Sequence, residues 1–528
     1  GDDTAGSGIA MPSTDLGSGA AGMTFQLDLA ATQAFVGEGG SGIRRIGQVL
    51  GRINVPMSGR LTIGGRDLSF LHEGVTGRRI GYVGPDPKLR SGSLFANLVY
   101  PLKHRPTGGE SLEGRELREA ELSGNSVWDV NAEWIDYAAA HATDRDALVK
   151  QAMSVLTTVD LDRDVYQLGL QGRVDPNTHP DLVDRIMTAR AELRGRLDDP
   201  DLVNLVENFD ARRYNTNMSV AENLLFGTPA DDGFDFEAMA DHPLIRDILD
   251  ETNLTEELTA IGRQLAALMV DLFADVPPGS DLFEQFSFIS SDDLPEFRSL
   301  LGRTDPNSLD ALEARDQSML LSLPLKLVPA RHRLGLIDET LQSRLLRARS
   351  LVADRSGASG LSVEFFAAET YNVSGSVQDN ILFGRLVYGR ARAASQVGAL
   401  IREVVEKLGL VEPIMEIGLD YEIGVSGARL SGAQRQKLSI ARTLLKRPDL
   451  LVLDHATASL DSTSEAKIMS NLLEKRSDVG LIWVLQDANL AQNFDNTLVL
   501  EGGRVVQQGR AEELNTPDTA FSELLQPK

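Results

Sequence analysis

The sequence predicts an α/β fold built on a buried, mostly parallel sheet, and three stretches carry that prediction. Leu450-Leu451-Val452-Leu453 is a continuous apolar run, the pattern of a strand covered on both faces, and Leu481 to Leu485 is another. A short strand from Thr32 to Val36 runs into the glycine-rich turn Gly37-Glu38-Gly39-Gly40-Ser41-Gly42, as at a strand-to-helix join. Leu438, Ala441, Leu444 and Leu445 recur at helical spacing after Gly432, and Pro448 ends that helix just before the first apolar run.

The stretch Ala428 to Asp461 organises the rest. It reads loop, helix, strand, loop, and the strand ends on Asp454, at the carboxyl end where parallel sheets bind ligands. Leu430-Ser431-Gly432-Ala433-Gln434 stands upstream and Ala458-Ser459-Leu460-Asp461 downstream. This constellation resembles the nucleotide-binding domain of ATP-binding-cassette (ABC) transporters, of the exporter-like kind. The LSGAQ run looks like that family's signature loop with Ala433 for the usual glycine. Leu450 to Asp454 looks like its Walker B strand, and Ala458 to Asp461 like its D-loop. The resemblance implies a P-loop NTPase core of the ABC type, with ATP and Mg as cofactors. It also implies a dimer in which each ATP lies between the phosphate loop of one chain and the signature loop of the other.

Composition narrows the setting. A chain of 528 residues has room for about two to four domains. Its net charge of −25 argues against a nucleic-acid partner. The absence of cysteine excludes disulfides and thiolate chemistry, and the seven histidines show no metal-like spacing. No apolar run approaches the roughly 20 residues that span a bilayer, and no secretory signal opens the chain. The expectation is a cytoplasmic protein, peripheral at the inner face of a membrane. Its transmembrane domain would lie on another chain or have been removed from this one.

Taken in order, residues 1–22 read as a flexible lead-in of Gly, Ala, Ser and Asp without an aromatic side chain. The family stacks adenine on an aromatic ahead of the phosphate loop, and this segment offers none. Residues 23–105 read as the first part of the ABC core. The glycine spacing of Gly37, Gly40 and Gly42 around Ser41 matches a Walker A loop, whose amides cradle phosphates. Gly59 to Gly65 supports the assignment by resembling the hairpin that comes after it in the family. Ile43, however, stands where lysine should reach the phosphates, and Arg44 where Ser or Thr should ligate magnesium. Losing that charge-assisted contact costs about 1.5–3 kcal/mol. Arg44 or Arg45 is expected to pair with Asp454 instead, because an unpaired buried carboxylate is costly. Ile80 to Tyr100 resembles the strand and Q-loop, with Pro85 at the glutamine position.

Residues 106–395 form a mostly helical insertion, longer than the family's helical subdomain, and the pattern inside it repeats. Ser93-Leu94-Phe95-Ala96-Asn97-Leu98-Val99-Tyr100 returns as Ser219 to Phe226 and as Ser376 to Phe383. The second and third copies share a lead: Val206-Glu207, Phe209 and Tyr214-Asn215 against Val363-Glu364, Phe366 and Tyr371-Asn372. A helix comes after each copy, at Leu148 to Gly169, Leu244 to Gly262 and Leu400 to Gly418, with Asp160-Leu161, Asn253-Leu254 and Gly409-Leu410 in equivalent places. Each serine should cap a helical turn. The inference is two tandem duplications, which leave the middle copy free as added surface. Leu182 to Leu197 and Leu336 to Val352 read as amphipathic helices, and Trp128, Trp134 and Tyr137 as a small packing cluster.

Residues 396–528 carry the signature helix, the Walker B strand and the end of the core. His455 takes the place of the family's catalytic glutamate, and Gln486 that of its switch histidine, which leaves Asp454 alone of the phosphate-, metal- and water-handling positions. Ser431, Gly432 and Gln434 remain, as does Asp461 of the D-loop. Losses sorted this way predict a pseudo-ATPase half of a heterodimer. Its own site is impaired, and its signature loop completes the site of a second ABC nucleotide-binding domain. The alternative is an ABC-fold scaffold that binds no nucleotide. A weak ATPase using His455 as base is a third reading.

Overall fold

The structure is a computed structural model describing all residues except 1–3, 11–22, 40, 57, 107–111, 231–235, 237, 278–279, 281–286, 305–311, 360, 476–478 and 527–528. It divides into two compact units, one of residues 1–168 with 418–528 and one of residues 169–417. The division thus falls at 169 and 417, not at the expected 106 and 395. Residues near 150 stay with the first unit because the helix Arg145–Thr158 packs on the helix Gly432–Leu445.

The first unit is built on a six-stranded sheet. Its strands run, edge to edge, Arg504–Gly509, Asn496–Glu501, Gln33–Gly37, Gly480–Val484, Leu450–Asp454 and Ile80–Val83. All pair in parallel except the closing hairpin of the first two. The apolar runs read from sequence are its central strands, every residue of Leu450–Asp454 and Gly480–Val484 being buried. The helix Ile43–Leu50 lays Ile43, Ile46, Val49 and Leu50 against Phe35, Val452, Ile482 and Val484. Parallel strands end on one side, so the loops after Gly37, Val83, Asp454 and Val484 gather at a single edge. That gathering places the site.

Beside it lies a four-stranded sheet ordered Met23–Leu27, Thr4–Ala10, Ser58–Ile63 and Arg66–Asp67. Here the lead-in reading is corrected: Thr4–Ala10 is a strand, paired antiparallel to both Met23–Leu27 and Ser58–Ile63. Its composition lacks the alternation that marks a strand, and pairing through backbone amides needs none. Residues 11–22 of that segment lie outside the described residues.

In the second unit, two serine-capped turns share the same cap and asparagine bonds, and the first unit holds a third. The serine hydroxyls accept the amides of Ala96, Glu222 and Asp379 at 3.1, 3.1 and 3.0 Å. One turn on, the buried Asn97, Asn223 and Asn380 each accept an upstream amide and return their own amide to the same residue's carbonyl and to the serine's. The long helix read after each copy is in fact two. Each breaks at a left-handed residue, Asp160, Asn253 or Gly409, at φ 55, 53 and 66°. Apolar periodicity continues across such a break, which hides it from a pattern reading.

A feature not read from sequence closes both turns of the second unit. Arg190, on the helix Pro180–Leu197, donates to the carbonyls of Asn380, Ala368 and Thr370 and to Asn380 Oδ1, at 2.7–2.9 Å. Arg349, on the helix Glu339–Ser359, does the same for Asn223, Ala211 and Arg213 at 2.7–3.0 Å. Arg442, on Gly432–Leu445, donates to Lys88 O at 2.8 Å. Ala189-Arg190 and Ala348-Arg349 are therefore equivalent pairs, whereas Arg442 makes a single carbonyl bond.

The two turns of the second unit also exchange strands. Val206–Asn208 pairs with Gly384–Leu386, and Gly227–Pro229 with Val363–Phe365. Gly227 and Gly384 sit at matching crossings, where a Cβ would lie 2.5 Å from Glu364 O and 2.7 Å from Glu207 O. Between the strands Phe209 stacks on Phe366 at 4.1 Å, with Phe226 and Phe383 edge-on. Both edge rings sit on backbones at φ 44°, a rare conformation for a bulky residue. The arrangement has a local twofold pattern. Among the described residues no helix is long and apolar enough to cross a membrane.

Candidate functional site

The glycine-rich loop leaves the sheet edge at Gly37. No side chain fits there, since a Cβ would lie 2.6 Å from Leu500 O and 2.7 Å from Ser41 Oγ. Ser41 donates its amide to Glu38 O at 3.0 Å, and its carbonyl accepts the amide of Gly503 at 3.1 Å. Its hydroxyl is buried without a hydrogen-bond partner among the described residues. Gly42, at φ 86°, turns the chain into the helix Ile43–Leu50. Gly40 lies outside the described residues. Ile43 belongs to the core, 6 % exposed, and Arg44 is exposed.

Asp454 lies at the end of its strand with only 2 % of its side chain exposed. Its Oδ2 accepts the Tyr82 hydroxyl at 2.8 Å, and its Oδ1 meets His455 Nδ1 at 2.8 Å. Helix backbone covers it: a Cβ on Gly47 would lie 2.8 Å from Asp454 Cγ. The expected pairing of Arg44 or Arg45 with Asp454 is thus corrected. The carboxylate takes its partners from the strand beside it and from its own neighbour. Burial, and then the Asp454 charge, raise the Tyr82 phenol above its ordinary pKa, so it keeps its proton and donates a hydrogen bond.

His455 holds a left-handed backbone at φ 50° and donates its amide to Val484 O at 3.1 Å. Next along the edge, Leu485 donates its amide to Phe35 O at 2.9 Å, and Gln486 comes after it, exposed. Pro85 is exposed after Ile80–Val83. Gly37, Asp454 and Val484 thus end parallel strands at one edge of the sheet, with His455 and Gln486 beside it.

The signature-like loop stands apart from these contacts. Ser431 caps Gly432–Leu445 by accepting the Gln434 amide at 3.1 Å, while Gln434 Oε1 accepts the Ser431 amide at 2.9 Å. This reciprocal box fixes the loop and leaves Ser431 exposed at a helix N-terminus. Gln434 Nε2 donates to Asp164 at 2.8 Å. Its neighbour is the D-loop: a Cβ on Gly432 would lie 3.7 Å from Ser459 Cβ. Asp461 is exposed and caps the next helix by accepting the Ser464 amide and hydroxyl at 2.9 and 3.0 Å, bonds that hold its carboxyl below the usual range.

Sequence reasoning missed Tyr82, Gly47 and Asp164. A tyrosine in the short buried strand Ile80–Val83 was the available signal, because a buried phenol seeks a partner. Among the described residues no group of three or more His, Asp or Glu is placed to hold a metal.

With this geometry in hand, comparison with known proteins is specific for the back of the chain. The ABC transporter family model matches residues 333–458, which include the turn at Ser376, the signature loop and Asp454. A heterocyst differentiation ATP-binding protein, HepA, of Nostoc sp. is 34% identical over 169 residues, covering 29% of this chain and 26% of HepA. An ATP-dependent permease, MDL1, of Candida albicans is 36% identical over 162 residues, covering 29% of this chain and 22% of the permease. The match thus spans about a quarter of these relatives' length. An ATP-bound bacterial Atm1-family ABC exporter aligns over 99% of this chain and 41% of its own, at TM-score 0.39 and 13% identity, too loosely to carry an argument.

Proposed function

The chain carries an ABC nucleotide-binding domain of the exporter-like kind, and from that premise we propose that it serves as the impaired half of an asymmetric pair. In this reading its own phosphate loop binds ATP poorly or not at all. Its signature loop closes the ATP–magnesium site of a second ABC nucleotide-binding domain, and the pair couples hydrolysis to transport through a transmembrane domain at the cytoplasmic face of a membrane. The observation that carries the reading is the sorting of the altered positions. Ile43 lies in the core where a lysine should reach phosphate, and Arg44 and Pro85 are exposed at metal-handling positions. Ser431 meanwhile keeps its place, exposed and capped, at the start of a helix able to favour an anion.

The same reading treats the insertion as tandem copies of the turn-and-helix module. The matched serine, asparagine and arginine bonds support that view. In this account the second and third copies face one another, so the middle copy is not the free surface its sequence suggested.

The test is the ATP turnover of the native assembly purified through a tag on this chain. Ser431→Arg places a bulky cation where a partner's γ-phosphate would sit. Turnover should fall at least tenfold, a change of about 1.4 kcal/mol or more in the barrier. Unchanged turnover would leave the scaffold reading in its place.

A further inference from the structure

We propose that Tyr82 and His455 act as the internal counter-ligands of Asp454, occupying in this chain the role a metal would have, so that the site at the end of Leu450–Asp454 is closed to a divalent cation. The inference rests on the reading that the chain's own site is impaired, and it names the groups that close it.

Three observations converge on it. Each Asp454 oxygen already has a partner at 2.8 Å, the Tyr82 hydroxyl on one side and the His455 ring on the other. The carboxylate is 2 % exposed, so a cation and its waters have no open path to it. The roof is backbone: Gly47 lets the helix Ile43–Leu50 lie so close that a Cβ would be 2.8 Å from Asp454 Cγ. Tyr82 is wedged in its turn, with room made by Gly51, whose Cβ would fall 2.3 Å from the ring. Magnesium keeps several of its waters and tolerates little departure from octahedral geometry. A carboxylate enclosed by a phenol, an imidazole and a glycine face fits hydrogen bonding and does not fit that ion. Buried carboxylates need such partners when no cation is at hand, and Tyr82 is the one the strand supplies.

The proposal makes Tyr82 a positioning residue, and metal affinity reads it directly. Mn²⁺ binding to the full chain, measured by electron paramagnetic resonance, should be weak and insensitive to Asp454→Asn in the wild type. Tyr82→Phe with His455→Ala should raise Mn²⁺ affinity at least tenfold, and adding Asp454→Asn should abolish the gain. Tyr82→Phe alone keeps the ring in its wedge and should give a gain of about threefold, a second reading should the double variant fail to fold. Folded variants that gain nothing would overturn the role of Tyr82 and His455 while leaving the impaired-site reading intact. Wild-type chain that binds Mn²⁺ with ATP at micromolar level through Asp454 would overturn both.

Discussion

At the scale of single residues, the chain shows how a buried charge is held by hydrogen bonds from its neighbours. Asp454 is enclosed by hydrogen bonds from Tyr82 on the adjacent strand and from His455 beside it. Lys446 is a second buried charge in the same unit, its ammonium donating to the carbonyls of Gly77 and Ile80 at 2.8 and 2.7 Å. Burial first, with Arg78 and Arg442 adding repulsion, lowers its pKa from 10.5 to about 8. Between pH 8 and 10.5 the unfolded chain therefore holds more protons than the folded one, so this group's contribution to stability rises with pH through that window. Below pH 8 both states are protonated and its penalty is constant. In urea unfolding, the stability of wild type relative to Lys446→Met should rise by about 1–3 kcal/mol from pH 8 to pH 10.5. A flat difference would mean that the ammonium is well solvated.

Among elements, the matched turns are the informative case. The likeness of the three turns was legible in their serine, asparagine and apolar positions, since these occupy eight contiguous residues. Sequence did not reveal the arginines, because Arg190 and Arg349 lie far along the chain from the turns they hold, and only the fold brings them together. Nor did it reveal the strand exchange, whose strands are three residues long and carry little pattern. Burial lowers both guanidinium pKa values to about 10, while several carbonyls depend on each. Arg190→Met and Arg349→Met should each destabilise the protein by about 3 kcal/mol, from carbonyls left unpaired. The two losses should agree within about 1 kcal/mol if the modules are equivalent. Thermal unfolding of both variants checks the expectation, and a large loss in only one would break the equivalence.

For the molecule as a whole, the parallel core was legible from two apolar runs and a glycine turn because complete burial leaves an unbroken apolar pattern. The small antiparallel sheet was half hidden, because Thr4–Ala10 pairs through backbone without a side-chain signature. Sequence reasoning put Asp454 at the end of its strand but gave it the wrong partners, because Tyr82 lies far from it along the chain. In the proposed function the work divides between two parts of one chain, the enclosed carboxylate of Asp454 and the exposed loop at Ser431. Vanadate trapping tests that division most directly. In the native assembly incubated with ATP, magnesium and vanadate, ultraviolet light cleaves backbone beside the trapped ion. The account predicts cleavage of this chain between Ser431 and Gln434 and none between Gly37 and Arg44. Cleavage within 37–44 would show a nucleotide seated in the chain's own loop and contradict it.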